Sequence, residues 1–268
     1  MKKFSIITIN YNNCAGLRKT IESVVNQTYT DFEYIVIDGG STDGSAEVIR
    51  EYAERIDYWV SEPDKGIYNA MNKGILKATG EYLNFMNSGD CFYTMEALAS
   101  VSCFTDDLIM GNIHQAGTNN ILKYKSNMSL YDLCIYGINH QATFFKRHIF
   151  EKRLYDETLK IMADWKLAVE CIVFDECSFR YVDILLVEYD MTGISFVQRD
   201  LAEREKKQIL KSLLPSQIYV DYEMFSQIRT PILGYLPYLS KTYLLNKMVV
   251  FYIKLLVKCH LILKKTNK

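Results

Sequence analysis

The chain has 268 residues, of which 49% are hydrophobic and 24% are charged, and its formal net charge at pH 7 is −1. This composition is that of an ordinary globular protein and excludes a disordered or fibrous chain. A net charge so close to zero provides no overall field that would attract nucleic acid, so we do not expect DNA or RNA as a partner.

The first part of the chain alternates between strand-like and helix-like patterns. Phe4–Ile9 is a short run of β-favouring apolar residues, and Leu17–Val25 carries apolar residues at helical spacing. The alternation continues with a strand at Tyr34–Asp38, a helix to about Ile56, a strand at Tyr58–Val60, a helix at Ile67–Ala78 and a strand at Tyr82–Met86. Strands that alternate with helices predict a mainly parallel sheet with right-handed crossovers.

After Asp90 the alternation weakens and the pattern becomes α+β. The predicted elements are a hairpin of Leu108–Gln115 with Ile121–Tyr124, a strand at Thr143–Lys146, a helix at Trp165–Val173 and a long strand or bent pair at Phe179–Tyr189. Beyond about Phe196 the pattern is helical. We therefore predict an α/β domain of residues 1–196 and a C-terminal helical module of residues 197–268.

The C-terminal module contains an apolar stretch that two lysines interrupt. Lys254 and Lys258 lie within Met248–Leu263, so this helix could rest on a membrane surface with its lysines near phosphate head groups. A helix packed on the domain or in a homodimer interface fits the pattern equally well. No run reaches the ~18–20 apolar residues of a spanning helix.

The seven cysteines lack a Cys-x-x-Cys pair, which favours reduced thiols in the cytoplasm. We thus expect a cytoplasmic protein, peripheral on the inner face of the plasma membrane if the helix binds lipid.

Three aspartates lie beside predicted elements where chemistry is common. Asp38 ends a strand before Gly39, where a carboxylate can accept from a nucleoside. Asp90 follows another strand and could coordinate Mg²⁺ or Mn²⁺ with a single carboxylate. Asp164 precedes a helix and could act as a general base. Taken alone, each aspartate also has a structural explanation, because two of them suit turns and Asp164 suits a helix N-cap.

Two further polar clusters precede predicted elements, namely His140-Gln141 and Asp64-Lys65-Gly66. Lys65 at a helix N-terminus opposes the macrodipole, which suggests an anionic ligand nearby. Dinucleotide, phosphate-loop, H-E-x-x-H and Ser-His-Asp patterns are absent. This absence disfavours dehydrogenases, P-loop enzymes, zinc proteases and triad hydrolases.

In this order the motifs resemble the family 2 inverting glycosyltransferases of the GT-A fold, a group that builds bacterial polysaccharides. The resemblance covers about Phe4 to Ser195 and rests on residues 5–12, 36–44, 64–74, 80–82 and 87–90. It implies an α/β GT-A fold, Rossmann-like, with a mainly parallel central sheet, a smaller antiparallel part and a C-terminal helical extension.

The resemblance also implies the site. Asp164 would be the catalytic base, Asp90 would bind Mn²⁺ or Mg²⁺, and His140 with Gln141 would line the acceptor or diphosphate side. The implied donor-binding residues are Thr8, Asn10, Tyr11, Asp38, Gly39, Asp64, Lys65, Asn87, Ser88 and Gly89.

The implied reaction is a single displacement that moves one hexosyl or N-acetylhexosaminyl group from a nucleoside-diphosphate sugar. The nucleotide is expected to be UDP by family habit. The expected acceptor is a hydroxyl of a glycan or of an undecaprenyl-diphosphate-linked oligosaccharide.

Two departures from the family pattern concern acidic residues. Where many relatives have an Asp-x-Asp signature ending in two acids, this chain has Asn87 and Gly89, which leaves Asp90 as the lone carboxylate. The frequent second aspartate of the nucleotide loop is Gly39 here. Because this signature has fewer acidic residues, an alternative is a catalytically silent GT-A domain that acts as a binding or scaffolding module.

The Gln-x-x-Arg-Trp motif of processive synthases is absent, which predicts one sugar per binding event. A nucleotidyltransferase is disfavoured because residues 10–13 are not a glycine-rich basic loop.

Overall fold

The computed structural model describes residues 1–193 and 198–227, together with Lys247 and Phe251. The chain divides into two compact units between Gln208 and Ile209. The predicted boundary at 196/197 stays a prediction. Residues 199–208 belong to the first unit because the buried carboxylate of Glu205 accepts hydrogen bonds from three backbone N–H groups of residues 160–162.

The strands follow the sequence prediction closely in the first half of the chain. They are β1 (Phe4–Asn10), β2 (Phe32–Asp38), β3 (Tyr58–Ser61), β4 (Tyr82–Phe85), β5 (Cys91–Phe92), β6 (Leu108–Gln115), β7 (Ile121–Leu122), β8 (Thr143–Lys146) and β9 (Phe179–Tyr189). The strand predicted at Phe179–Tyr189 is continuous, and its partner β6 has register shifts between Met110 and Ile113. Strand β5 was not predicted from the sequence.

Within the described residues the strands form one sheet in the order β3-β2-β1-β4-β8-β6-β9-β5, with β7 paired to β6. The β3-β2-β1-β4 half is parallel, as the alternating pattern predicts. Strand β8 runs antiparallel to both β4 and β6, and β5 runs antiparallel to β9. The carboxyl ends of β1, β2 and β4 consequently meet at one edge of the sheet, which is where open α/β sheets bind ligands.

The helices are α1 (Cys14–Val25), α2 (Ser45–Glu51), α3 (Ile67–Ile75), α4 (Ala97–Val101), α5 (Leu130–Tyr136), α6 (His148–Lys152), α7 (Ala163–Val169), α8 (Arg199–Leu213) and α9 (Ser216–Gln227). A short 3₁₀ turn follows α2, and a π-helical turn at Glu170–Phe174 follows α7. The predicted helix to about Ile56 therefore ends earlier. The stretches predicted from Tyr235 onward, including Met248–Leu263, lie outside the described residues apart from Lys247 and Phe251.

The core lies between the sheet and the amphipathic faces of its helices. In α1, Leu17, Ile21 and Val24 are fully buried at helical spacing, and they pack in one apolar cluster with strand residues such as Phe4 and Tyr34. Burying such side chains is the main driving force that fixes the sheet. No helix in the described part of the chain is long and apolar enough to cross a bilayer.

Candidate active site

The loops at the carboxyl edge of β1, β2 and β4 surround a cavity of about 890 Å³. Most of the predicted site residues line it, namely Asn10, Tyr11, Gly39, Asp64, Asn87, Ser88, Asp90, His140, Gln141 and Asp164. The lining also includes Tyr68, Lys160, Trp165 and Asp190, to which the sequence analysis gave no role. Segments that are far apart in sequence therefore converge on one cavity.

Two residues predicted to hold the nucleoside do not line the cavity. Thr8 is fully buried, and its hydroxyl hydrogen-bonds the hydroxyl of Tyr34 at 2.9 Å. Asp38 is also fully buried, and its carboxylate accepts from Ser41 N at 3.0 Å, Ser41 Oγ at 2.6 Å and Ser61 Oγ at 2.5 Å. Burial alone would raise the pKa of Asp38, but these hydrogen bonds and one from Asn10 lower it. Both side chains thus support the loop from behind, and their predicted contacts with the donor stay a prediction.

Asn10 connects the loop anchor to the cavity. Its Nδ2 donates to Asp38 Oδ1 at 2.7 Å, and its Oδ1 is buried without a hydrogen-bond partner among the described residues. A buried acceptor without a donor is unfavourable unless a ligand satisfies it. Asn10 therefore offers the acceptor that the sequence analysis had assigned to Asp38.

Gly39 leaves room for Asp64 at the same end of the cavity. A Cβ atom on Gly39 would lie 2.5 Å from Asp64 Oδ2 and 3.2 Å from Cδ2 of Tyr11, so a side chain there would displace both residues. Asp64 Oδ1 accepts from Gly66 N at 2.8 Å. Lys65, predicted beside the phosphates, is exposed and does not line the cavity. The prediction for Lys65 therefore has no support from its position.

Asp90 lies at the end of the loop that follows β4, directly before β5. It is 4% exposed, and its two oxygens accept from Gln141 Nε2 at 2.9 Å and from the backbone N of Asp190 at 2.8 Å. Burial raises the pKa of Asp90 to about 6, against the effect of these two hydrogen bonds. Gln141 therefore supports Asp90 directly. Gly89, predicted to contact the donor, is buried and does not line the cavity.

Asp164 lies in the first turn of α7 and is not its N-cap, which is Met162. The predicted helix start at Trp165 is thus two residues late. The carboxylate accepts from Tyr68 OH at 2.9 Å through Oδ1 and from His140 Nδ1 at 2.6 Å through Oδ2. Burial alone would raise the pKa of Asp164, but hydrogen bonds from His140, Trp165 N and Tyr68 outweigh it and lower the pKa. Asp164 is therefore ionised at neutral pH.

His140 joins the loop of Asp90 to Asp164. Its Nε2 lies 3.0 Å from Asn87 Nδ2, and its Nδ1 lies 2.6 Å from Asp164 Oδ2. Because an amide nitrogen only donates, Nε2 accepts from Asn87 and the ring proton is on Nδ1. This tautomer directs the N–H of His140 at the carboxylate of Asp164, so one imidazole ring sets the orientation of both neighbours.

The charge of the cavity is strongly negative. Among the described lining residues there are four aspartates, Asp64, Asp90, Asp164 and Asp190, and one lysine, Lys160. A diphosphate would be repelled here unless cations accompany it. The lining offers oxygen atoms of the kind that a hard divalent cation prefers, since it includes the carboxylate of Asp90 and the side chain of Asn87, whose Oδ1 is buried and unpartnered among the described residues.

Fold and site together define a Rossmann-like α/β protein with a large cavity at the carboxyl edge of its sheet, where folds of this class bind nucleotides. Residues 5–175 match the model of the family described as Glycosyl transferase family 2, and the chain belongs to this family. It is a glycosyltransferase that transfers sugar from a nucleotide sugar, as the motifs predicted.

Two curated relatives are similar over most of the chain. A PGL/p-HBAD biosynthesis glycosyltransferase of Mycobacterium tuberculosis strain ATCC 25177 / H37Ra is 30% identical over 200 residues, which cover 71% of this chain and 77% of the relative. A glycosyltransferase of M. tuberculosis strain ATCC 25618 / H37Rv is 32% identical over 202 residues, covering 71% of this chain and 76% of the relative.

Solved structures share the fold at low sequence identity. Staphylococcus aureus TarS 1–349 in complex with UDP-GlcNAc has a TM-score of 0.64 at 17% identity, covering 81% of this chain and 69% of that chain. The mannosyltransferase PcManGT from Pyrobaculum calidifontis, in complex with GDP-Man and Mn²⁺, has a TM-score of 0.63 at 15% identity, covering 95% and 80%. The predicted GT-A fold is confirmed.

Proposed function

We propose that the protein transfers one sugar from a UDP-sugar to an acceptor hydroxyl with inversion, and that Asp164 is the base. The observation that carries the proposal is the position of Asp164, an ionised carboxylate held by His140 and Tyr68 in the cavity that Asp90 also lines. Direct attack by the acceptor oxygen opposite the leaving diphosphate inverts the anomeric centre. A carboxylate near that hydroxyl removes its proton as the bond forms, an effect of about 10²–10⁴ in rate.

His140 and Tyr68 keep Asp164 oriented for this role. Oδ1 accepts from Tyr68 OH and from Trp165 N, whereas Oδ2 accepts from His140 alone and keeps a lone pair that can accept from the acceptor hydroxyl. The low pKa ensures that the carboxylate is unprotonated before attack. The proton from the acceptor hydroxyl passes to Asp164 while the nucleoside diphosphate departs, so the charge balances within one displacement.

Asp90 is the proposed ligand of Mn²⁺ or Mg²⁺. When bound, the ion supplies stabilisation of the negative charge on the departing diphosphate. The negative cavity and the oxygen donors of Asp90 and Asn87 support this assignment. The structural neighbour PcManGT was obtained with GDP-Man and Mn²⁺, which supports the use of a divalent metal.

The proposed nucleoside site lies at the opposite end of this edge, where Asn10, Tyr11, Gly39 and Asp64 line the cavity. The buried Oδ1 of Asn10 is suited to accept from a base N–H, and Tyr11, which is 67% exposed, can stack on the base. UDP is favoured by family habit, and the neighbour TarS was obtained with UDP-GlcNAc.

The proposed acceptor is a glycan or an undecaprenyl-diphosphate-linked oligosaccharide at the cytoplasmic membrane face. This proposal rests on the basic and apolar pattern of Met248–Leu263. Liposomes with anionic lipids should co-sediment the full chain and not a truncation before Tyr235. Equal sedimentation of both would remove the membrane role, and dimerisation lost on truncation would assign the helix to a homodimer instead.

The donor is tested by a thermal-shift screen of UDP-, GDP- and dTDP-sugars with and without Mn²⁺, because a specific ligand stabilises the native state by mass action. Release of nucleoside diphosphate is then measured with the donor that stabilises most. Asp164→Asn should lower release by about 10²–10⁴ while the thermal shift stays unchanged. The control is Asp31→Asn, an exposed aspartate before β2. Normal release by Asp164→Asn would refute the base assignment, and donor binding without release by the wild type would support a silent binding module.

A further inference from the structure

The loop that carries Asp90 lacks the second acid expected from its motif, since Gly89 occupies that position. A carboxylate nevertheless lies beside it. Asp190, immediately after β9, lines the same cavity, and its backbone N donates to Asp90 Oδ1 at 2.8 Å. The two aspartates are therefore neighbours, although they are 100 residues apart in sequence.

Strand pairing brings them together. Strands β5 and β9 are antiparallel, with Cys91 opposite Glu188 and Phe92 opposite Val187. Continued toward the cavity, this register places Asp190 across from Gly89. Because the sheet fixes the register, the position of Asp190 follows from the fold and does not depend on a flexible loop.

The carboxylate of Asp190 occupies the space that a side chain at position 89 would need. Gly89 has φ +107°, and a Cβ atom there would lie 2.6 Å from Asp190 Oδ2. An acid at position 89 and the observed position of Asp190 are thus mutually exclusive. A second carboxylate is therefore present at this place, and it belongs to Asp190, the residue after β9.

The pair has no protein counter-charge. Among the described residues neither Asp90 nor Asp190 forms an ion pair with lysine or arginine. Asn87 Oδ1, on the same loop, is buried and unpartnered in the described structure. A buried carboxylate, such as that of Asp90, beside a second, partly buried one is unfavourable unless a cation compensates the pair, and an orphaned amide oxygen needs a partner.

We propose that Asp190 is a second carboxylate ligand of the divalent cation, opposite Asp90, in place of the acid that the 87–90 loop lacks. This inference rests on the metal use proposed above. It assigns the site two carboxylates from two strands and the amide oxygen of Asn87, a set of hard oxygen donors that suits Mn²⁺ or Mg²⁺.

The test is a titration of Mn²⁺ in the presence of UDP, with free Mn²⁺ read from its electron paramagnetic resonance signal. Asp190→Asn should weaken Mn²⁺ binding about tenfold or more, because ligand charge sets affinity at such sites. Asp183→Asn is the matched control, since Asp183 lies on the same strand, is exposed and pairs with Lys123. It should bind Mn²⁺ as the wild type does.

A structural role of Asp190 is separated from a ligand role by thermal unfolding in EDTA. Removing one of two like charges should leave the apo melting temperature unchanged or raise it. If Asp190→Asn does not fold, Asp190→Ser serves with the same criterion, since its hydroxyl can still accept from Thr192 N, which Asp190 Oδ1 binds at 2.9 Å. If a folded Asp190 variant binds Mn²⁺ with wild-type affinity, this inference is overturned. If Asp90→Asn loses Mn²⁺ binding in the same assay, the proposed function still stands. Failure of the wild-type protein to bind Mn²⁺ with UDP would overturn both the inference and the metal part of the proposed function.

Discussion

Glu205 holds the segment that precedes the helix of the proposed base, and Glu205→Gln should weaken both stability and turnover. Glu205 is 7% exposed, and its carboxylate accepts from the backbone N of Lys160 at 2.7 Å, of Ile161 at 3.0 Å and of Met162 at 3.1 Å. The hydroxyl of Tyr68 lies within hydrogen-bond distance of both the carbonyl of Ile161 and Asp164 Oδ1, and its single proton is shared between these two acceptors. One side chain from α8 therefore fixes the backbone from which α7 begins.

The magnitude follows from the number of donors. A glutamine at this position keeps one acceptor oxygen and turns an NH₂ group toward at least one backbone N–H. If the amide oxygen stays where Oε2 accepts two of the bonds, the bond from Lys160 N is lost; a hydrogen bond to a charged group contributes about 1.5–3 kcal/mol, so the free energy of unfolding should fall by about this amount. A domain with about 5–15 kcal/mol of stability remains folded after this loss.

Turnover should fall by more than donor affinity. The segment 160–162 and α7 orient Asp164, while Asn10, Gly39 and Asp90 belong to other strands of the sheet. A displacement of the base by about 1 Å costs on the order of 100-fold in rate. We expect Glu205→Gln to lower kcat for nucleotide release by roughly 10- to 100-fold and to leave the donor KM nearly unchanged.

Urea unfolding followed by circular dichroism and a nucleotide-release assay provide the two readouts. The matched control is Glu203→Gln, two residues away on the same helix and exposed, which should change stability by no more than about 0.5 kcal/mol. If Glu205→Gln unfolds at the same urea concentration as the wild type and keeps its kcat, the three backbone hydrogen bonds do not form in solution and the reasoning is refuted.

Three further changes test separate parts of the structure. Tyr68→Phe removes a donor that lowers the pKa of Asp164, so that pKa should rise and the acid limb of the kcat–pH profile should move to higher pH; an unmoved limb would contradict the base assignment. Gly39→Ala should raise the donor KM several-fold without a comparable loss of stability, because its Cβ would push Asp64 aside, and an unchanged KM measured by nucleotide release would count against a donor site there. Glu33→Gln should cost about 1–2 kcal/mol at neutral pH. The folded pKa of Glu33 lies below 4.5, so this contribution is present above pH 4.5 and disappears as pH falls through the folded pKa, which urea unfolding at several pH values can check.

The sequence predicted those site residues that follow directly from strand ends. Asn10, Asn87 and Asp90 come at or just after β1 and β4, and parallel strands bring their carboxyl ends to one edge. Asp164 was found through its motif, although its place in the first turn of α7 differs from the predicted cap. The position of Asp38 was also predicted, but its burial was not, because one serine donor to its carboxylate comes from the loop after β2 and the other from the end of β3.

Tyr68, Asp190 and Glu205 were missed for a common reason. Each acts on a partner that is distant in sequence, with separations of 96 residues for Tyr68 and Asp164 and 100 for Asp190 and Asp90. Such contacts depend on strand order and helix packing, which local periodicity does not encode. Asp190 carried one usable signal, since it is an acid directly after a predicted strand, the same criterion that selected Asp90.

The replacement of an acid by Asn87 has a consequence for the base. An aspartate at position 87 would place a second carboxylate on the ring of His140, opposite Asp164, and would compete with Asp164 for that ring. Asn87 instead presents an amide N–H to Nε2, so Asp164 is the carboxylate to which the ring is bound. The negative charge missing at position 89 is in turn available from Asp190, whose carboxylate occupies the space that a side chain on Gly89 would need. The two departures in the 87–90 loop and the acid after β9 therefore form one arrangement, in which Asn87 contributes to both the metal side and the base side.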